Sequence, residues 1–491
     1  MAVFLILILS LVIRLYNLDY PLSYIFAWGD GTRDYLVADH ILRYKEFPLL
    51  GPFNLLNEVG VYNSPVYYYL LAFFLIPYNH VLTLGVVNIF FQIGTILLIF
   101  LLAKKMFDGK VALLAALIFS FNPEILAQSD YIWQPHLSQP FAYLSLFLAV
   151  LFYQKGRYIY LVSSILLLTF SFVLHNSTFP WIPVFLIGSY FLLKKHHKGY
   201  LYYFGLITYF FIFLALLYAP VGLHYTQNSP AAASAFLLSI QNFNDYINNF
   251  QVNLNGILEA FNINSLWIAI IIFFSLFYFL KTKDSKQTKL TVLILLVLIL
   301  FPVFFASFFN KFRLHYLTPA LGVFVIFLGK IFTSFSKKRL VTFIIIFFLL
   351  LSTTNNFEVL KFQKKPLENL KFVDGITESV IKEVSDPASF QIKSYAMDEK
   401  IFEYPVLDTI FLIPLEDKLD RKLAVLTDKS PFNHRQISGT AYFVVACHEF
   451  GNFTPRFKEC LQEFIRSYPN YAILKNLYMG DNIAVYLSKH E

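Results

Sequence analysis

A polytopic α-helical membrane protein carrying a C-terminal extracytoplasmic α/β domain is the fold class this sequence predicts, on three observations. Of its 491 residues 57% are hydrophobic and only 14% charged, and the mean hydropathy of +0.59 lies above the range of soluble globular chains. Uncharged apolar runs such as "AVFLILILSLVI", "TVLILLVLILFPVFF" and "VTFIIIFFLLL" recur along the first part of the chain. They suit spanning helices, because a helix satisfies its own backbone polar groups inside hydrocarbon. After residue 355 the composition turns to mixed, nearly balanced charge, which marks a water-soluble domain spanning 356–491.

The first apolar run is read as a retained anchor, because Arg14 and Tyr16 stand where a cleavage site would have small residues. Basic clusters then fix the threading. They fall at Lys104, Lys105 and Lys110; Lys155 and Arg157; Lys194, Lys195 and Lys198; Lys281, Lys283, Lys286 and Lys289; and Lys337, Lys338 and Arg339. All are expected in the cytoplasm. One alternating path puts them there, provided that "SPVYYYLLAFFLIPYN" does not cross but lies at the outer interface, where Tyr67, Tyr68 and Tyr69 suit the headgroup region.

That path has about eleven spans, a cytoplasmic N-terminus and an outer C-terminal domain. The spans are placed at 2–17, 81–103, 111–128, 136–154, 158–175, 177–193, 201–219, 264–280, 290–309, 315–333 and 340–354. In the outer domain "AYFVVACH" reads as a buried strand and "ILKNLYMGDNIAVYLSK" as a hairpin turning at Gly480 and Asp481. "PRFKECLQEFIRSY" reads as a helix with Phe457, Cys460, Leu461, Phe464 and Ile465 on one face. Cys447 and Cys460 are the only cysteines. Both fall in the oxidising compartment, and a strand followed by a helix permits them to pair.

The net charge of +8 sits mostly in short loops between apolar runs, a topology signal that argues against nucleic acid as a partner. Candidate chemistry gathers on the outer side. In "YIFAWGDGTRDYLVADH", Asp30 and Asp34 are four apart and share a face if the segment is helical. Leu36, Ile41 and Leu42 would then lie against lipid. Arg33 can neutralise one carboxylate and leave the other as a base or metal ligand. The competing reading is an interfacial helix whose charges are simply solvated.

A second outer segment, "NPEILAQSDYIWQPHLSQP", offers Glu124, Asp130, Gln134 and His136, set against plain end-capping around Pro123 and Pro135. A third, "NKFRLHYLTP", places Lys311, Arg313, His315 and Tyr316 at the lipid surface, against the positive-inside bias, where they suit an anionic headgroup. His175 closes another outer span end. Carboxylates and cations on one membrane face are what transfer from a lipid-linked phosphate requires: a base for the acceptor and positive charge for the leaving group.

The order of a first span, an acidic helix "WGDGTRDYLVADHIL", a proline-led aromatic helix "NSPVYYYLLAFF" and a span leading to "LLAKKMFDGKVALLAALIFSFNPEILAQS" resembles the GT-C superfamily of membrane glycosyltransferases. It is more closely similar to glycosyltransferase family 39, the protein O-mannosyltransferase and aminoarabinose-transferase branch. The resemblance covers about residues 1–355 and is strongest over 14–150.

The resemblance implies a GT-C fold with two interfacial helices, a polyprenyl-phosphate-linked sugar donor, an inverting transfer outside the cytoplasm, and a protein, lipid or glycan acceptor. It puts Asp30 at the catalytic acid's position. Where the family has Glu or Gln beside that acid, this chain has Gly31, so Asp34 or Arg33 must serve. Gln134 precedes Pro135 where the family often has Asp, leaving Asp130 as the second carboxylate. Asn63 replaces the family's frequent His before the proline of the aromatic helix; with Tyr67, Gln134, His136 and His175 it falls to the acceptor or sugar pocket. Arg33, Lys311, Arg313, His315 and Tyr316 would hold the donor phosphate. A divalent metal, on Asp30 and Asp34, is the one cofactor this reading leaves open. Other readings are a lipid-linked-sugar transporter or flippase, which would need ionisable groups near the midplane that these spans largely lack, and a catalytically silent relative that only binds lipid-linked sugar.

Overall fold

The computed structural model describes residues 2–15, 30–56, 59–122, 125–126, 132–228, 249–255, 286–307, 317–335, 370–384, 390–397, 401–403, 418, 424–425, 433–434, 442–449, 456–479 and 483–490. Contacts group the chain into two units. One comprises Met1–Asn17, Leu49–Tyr67 and Val86–Gln363, the other Leu18–Pro48, Tyr68–Gly85 and Lys364–Glu491.

The first unit is a helix bundle. Its helices are α1 (Ala2–Leu15), most of α4 (Val81–Met106), α5 (Gly109–Phe121), α6 (Gln134–Lys155), α7 (Tyr158–Leu174), α8 (Trp181–Lys195), α9 (Tyr200–Asn228), α10 (Lys286–Ala306) and α11 (Thr318–Phe335). Within these, Val81–Met106, Gln134–Lys155, Tyr200–Leu223 and Gln287–Phe305 are long and apolar enough to cross a bilayer, and shorter apolar helices accompany them. The chain is an integral membrane protein. The predicted spans 264–280 and 340–354 lie outside the described residues. The span expected from 177 begins later: Asn176–Thr178 form a single 3₁₀ turn, and α8 starts only at Trp181, after Pro180.

Small and hydroxylic residues bring these helices together, as expected where lipid removes any hydrophobic drive between them. Ser145 Oγ donates to the Ser164 carbonyl at 2.7 Å and Ser164 Oγ returns the bond to Ser145 at 2.5 Å, while Ser171 Oγ donates to Ser138 at 2.8 Å, zipping α6 to α7. The two-residue link between them turns at Gly156, whose φ of 67° ends α6. Ala112, Ala115 and Ala116 line the buried face of α5. A Cβ at Gly329 of α11 would lie 3.0 Å from the Val111 carbonyl, so the approach of α11 to α5 is itself tight. Trp181 Nε1 donates to the Leu298 carbonyl at 2.9 Å, pinning α8 to α10. Tyr143 of α6 donates its hydroxyl to Pro319 O at 2.8 Å and accepts from Gly322 N at 2.9 Å, fixing the start of α11. Arg14, buried at the end of α1, donates to Ser10 Oγ and to the Ser120 carbonyl of α5.

Two short strands, β1 (Phe53–Leu56) and β2 (Val59–Tyr62), pair antiparallel ahead of α3 (Val66–Leu75). At ten residues α3 is too short to span, in keeping with the sequence reading. Its tyrosines differ from that reading: Tyr67 and Tyr68 are fully buried, and Tyr69 is half-buried with its hydroxyl on the Pro48 carbonyl at 2.6 Å. They pack against protein where the sequence suggested headgroups.

The second unit contains α2 (Asp30–Tyr44), α12 (Leu370–Glu383), α13 (Phe457–Ser467) and a five-stranded mixed sheet. The sheet runs β4 (Ile401–Glu403), β3 (Phe390–Met397), β7 (Tyr442–Glu449), β9 (Ile483–His490), β8 (Tyr471–Met479). Two two-residue strands, β5 (Ala424–Val425) and β6 (Asn433–His434), pair separately. β3 and β7 are parallel, with Ile392 opposite Val444; every other pair is antiparallel.

Alternation along β7 sends Phe443, Val445 and Cys447 toward α13. The Phe443 ring lies 5.5 Å from Phe464 and 4.7 Å from both Tyr468 and Tyr471. Cys447 and Cys460 form a disulfide with Cα atoms 6.2 Å apart. Ile465, assigned from periodicity to the inner face of this helix, is exposed; Cys460 and Phe464 carry its burial. β8 and β9 pair as the expected hairpin. Gly480 and Asp481, its predicted turn, lie outside the described residues.

Candidate active site

Helix α2 begins at Asp30, where a carboxylate is favoured by the unpaired N–H groups of a helix start. Arg33 follows one turn later and holds both flanking acids. Its Nη1 donates to Asp30 Oδ1 at 2.6 Å, and Nη2 and Nε converge on Asp34 Oδ1 at 2.6 and 2.9 Å. The expectation that one carboxylate would escape Arg33 is therefore corrected, because the planar guanidinium has donors enough for both.

The three side chains differ in access. Asp34 is fully buried, Arg33 is 7% exposed and Asp30 28%. Burial alone would lower the Arg33 pKa, but Asp30, Asp34 and Tyr68 outweigh it and hold the guanidinium well above its ordinary value. Burial pushes the Tyr68 phenol well up, with Arg33 opposing. One positive charge thus stands between two negative ones, leaving the group with a surplus negative charge whose accessible end is Asp30.

The remainder of α2 is buried from Gly31 to Ile41. Leu36 and Ile41, expected to face lipid, are inside, because this helix packs on protein around its circumference. Its second turn pair, Asp39 and Arg43, forms an ion pair at 2.8 Å. Asn79 Nδ2 also donates to Asp39, and Tyr35 donates to Asn79 Oδ1 at 3.4 Å. His40 Nδ1 lies 3.1 Å from Glu46 Oε2, where the chain turns back through Lys45 at a φ of 57°. These contacts fix the helix that carries Asp30. Tyr68 and Asn79 escaped the sequence reading because a tyrosine triplet and a loop asparagine look like interface residues.

In the bundle unit, Asn63 is buried and clamped through its backbone, accepting from Gly51 N at 2.9 Å and donating to Pro52 O at 3.0 Å. Its Nδ2 has no hydrogen-bond partner among the described residues. Ser64 Oγ donates to the Leu217 carbonyl of α9 at 2.6 Å. Gln134 and His136 open α6 and are buried, with the His136 ring edge-on to Trp133 at 5.7 Å. His175 is buried at the end of α7, accepts from Ser177 N at 3.2 Å and lies within electrostatic reach of His136. The bond from Ser171 to Ser138 brings these two helix ends together. Asp130, Lys311, Arg313, His315, Tyr316 and Glu124 lie outside the described residues.

Among the described residues no group of three or more His, Cys, Asp or Glu is arranged to hold a metal ion. Asp30 and Asp34 do not fit as a two-carboxylate metal site, because the Arg33 guanidinium already fills the place between them. A divalent cation there would face that charge at close range.

No family model and no curated protein sequence matches the chain. Solved structures do. A crystal structure of ArnT from Cupriavidus metallidurans bound to undecaprenyl phosphate superposes with a TM-score of 0.62 at 9% identity, covering 99% of this chain and 97% of that one. The apo form of the same ArnT gives 0.63 at 10% identity over the same shares. The fold is of GT-C type. At this identity the likeness fixes the GT-C architecture over nearly the whole chain, the sheet-bearing C-terminal part included. It leaves the chemistry of this chain to its own residues.

Proposed function

We propose that this chain is a glycosyltransferase that moves a sugar from a polyprenyl-phosphate carrier to an acceptor on the extracytoplasmic face, with Asp30 as the base. The observation that carries the reading is the Asp30–Arg33–Asp34 group on a GT-C scaffold: a buried ion cluster whose accessible member is a carboxylate. The ArnT relative bound to undecaprenyl phosphate supports the carrier class.

In this reading Asp30 takes the proton from the acceptor nucleophile as it attacks the anomeric carbon. The bond from that carbon to the phosphate oxygen breaks, the polyprenyl phosphate leaves with the electron pair, and the sugar carbon inverts. Arg33 holds Asp30 in place through Nη1. Asp34 offsets the guanidinium, so that Asp30 is oriented without being fully neutralised. Lys311, Arg313, His315 and Tyr316 are assigned to the leaving phosphate, Asp130 to a supporting carboxylate, and Asn63, Tyr67, Gln134, His136 and His175 to the sugar or acceptor. The Cys447–Cys460 disulfide supports placing the C-terminal domain in an oxidising compartment, and the basic loops support a cytoplasmic N-terminus.

The test is Asp30→Asn in membranes supplied with radiolabelled polyprenyl-phosphate sugar. Transfer should fall by about 10²- to 10⁴-fold, the share typical of a general base, while detergent-solubilised protein keeps its unfolding temperature. Full transfer by the variant would remove Asp30 from the chemistry.

A further inference from the structure

Three loops at the basic end of the bundle are tied into one surface. Gln154 Nε2 donates to the Lys105 carbonyl at 3.2 Å, joining the last turn of α4 to the end of α6. The Tyr153 carbonyl receives both Lys195 Nζ at 3.2 Å and the His196 ring at 3.0 Å, joining the end of α6 to the end of α8. The His196 ring also lies where a Cβ at Gly156 would be, so only glycine fits there. His197 takes a φ of 53° and Lys198 N returns to the Leu193 carbonyl at 2.9 Å, a helix end that turns the chain sharply into α9.

The segments 104–110, 153–158 and 194–200 carry eight lysines and arginines against one acid, Asp108. That aspartate is engaged in capping α5, accepting from Lys110 N and Val111 N. These segments together are therefore strongly positive, and such a surface favours an external counter-charge.

The direction in which these cations face identifies its source. On α8 the exposed stripe Ile187 and Phe191 runs straight into Lys194 and Lys195. On α4 the exposed positions Phe90 and Leu97 are followed, at the same seven-residue step, by exposed Lys104. Tyr200 and Leu201, highly exposed, adjoin Lys198, and Lys198 Nζ lies 4.9 Å from the Tyr202 ring centre. Apolar side chains that face outward from a membrane helix face lipid tails, so cations continuing the same stripes stand at headgroup depth. A soluble acidic partner would leave those apolar neighbours uncovered.

We propose that this basic end is a binding surface for anionic phospholipid headgroups, centred where Lys155, Arg157 and Lys195 surround the contact between Tyr153 and His196. It is independent of the transfer chemistry. The Lys195 ammonium, 3.0 Å from the Tyr153 ring centre and bonded to that residue's carbonyl, is held in place before lipid arrives.

The experiment is native mass spectrometry of the full chain from an equimolar mixture of phosphatidylglycerol and phosphatidylcholine of equal chain length. Wild type should retain the anionic lipid about tenfold or more over the zwitterionic one. Lys155→Gln/Arg157→Gln/Lys195→Gln should lose that preference, with its unfolding temperature in phosphatidylcholine nanodiscs unchanged. Lys155→Gln/Arg157→Gln leaves the Lys195 bond intact and should lose most of it, which carries the proposal if the triple variant unfolds. Lys458→Gln/Arg466→Gln/Lys489→Gln, equal in charge but on the C-terminal unit, should keep it. Equal retention of both lipids by wild type, or equal loss in the two triple variants, would overturn the proposal. So would displacement of the lipid by millimolar inorganic phosphate, which would make this a site for free anions.

Discussion

Helices α2 and α9 invert the usual relation between polarity and burial. α2 carries three aspartates, two arginines and a histidine, yet every residue from Gly31 to Ile41 is buried. α9 carries no acid or base among its first 23 residues, yet Leu201 is 81% exposed and Leu216 67%. In lipid an apolar side chain gains nothing by turning inward, whereas a charge must find partners. The ion pairs of α2 are the reason for its burial, and the absence of any is the reason α9 can lie at the periphery.

The sharpest way to break this contrast is Arg33→Met, which strands a fully buried Asp34 beside Asp30. It should destabilise the protein by about 3–5 kcal/mol, measured by thermal unfolding in detergent; a change below about 1 kcal/mol would mean that the ion cluster does not hold α2 in place. Leu36→Ala in the same helix should cost about 3 kcal/mol by the same measurement, because the cavity it leaves is lined by protein. Tyr68→Phe removes only a hydroxyl near Arg33, and a loss of about 1 kcal/mol is expected. Leu216→Ala on α9 should move stability by less than about 0.5 kcal/mol, since lipid fills the space. If Leu216→Ala matched Leu36→Ala, the exposed face of α9 would be a protein interface and the comparison would fail.

The same inversion explains what was legible in the sequence. Elements of the sheet unit read well because water sorts their faces: the strand Tyr442–Glu449 and the helix Phe457–Ser467 follow from alternation and helical spacing, whereas the pairing of Cys447 with Cys460, which the sequence only permitted, is decided by the structure. The approximate extents of α4, α6, α7 and α11 also followed from apolar runs and basic loops. Facing did not. By residue type Leu36 and Ile41 suit lipid and Tyr67 and Tyr68 suit headgroups, yet all four are interior. Apolar and aromatic residues are equally at home against lipid and against protein, so composition cannot choose between them. At the candidate site the spacing of Asp30, Arg33 and Asp34 announced a cluster, but the division into a buried counter-ion and an accessible carboxylate depends on α3 packing beside it, which no local pattern encodes.

The Tyr143 hydroxyl has a mechanical consequence. It is a two-way peg, giving a proton to the Pro319 carbonyl and taking one from the Gly322 amide, in a spot where a Cβ at residue 322 would collide with the phenol ring. Sliding α6 along its axis would therefore either drag the first turn of α11 with it or break both bonds at once. The two helices must travel as a coupled pair during any rearrangement of the bundle, and a phenylalanine at position 143 would uncouple them.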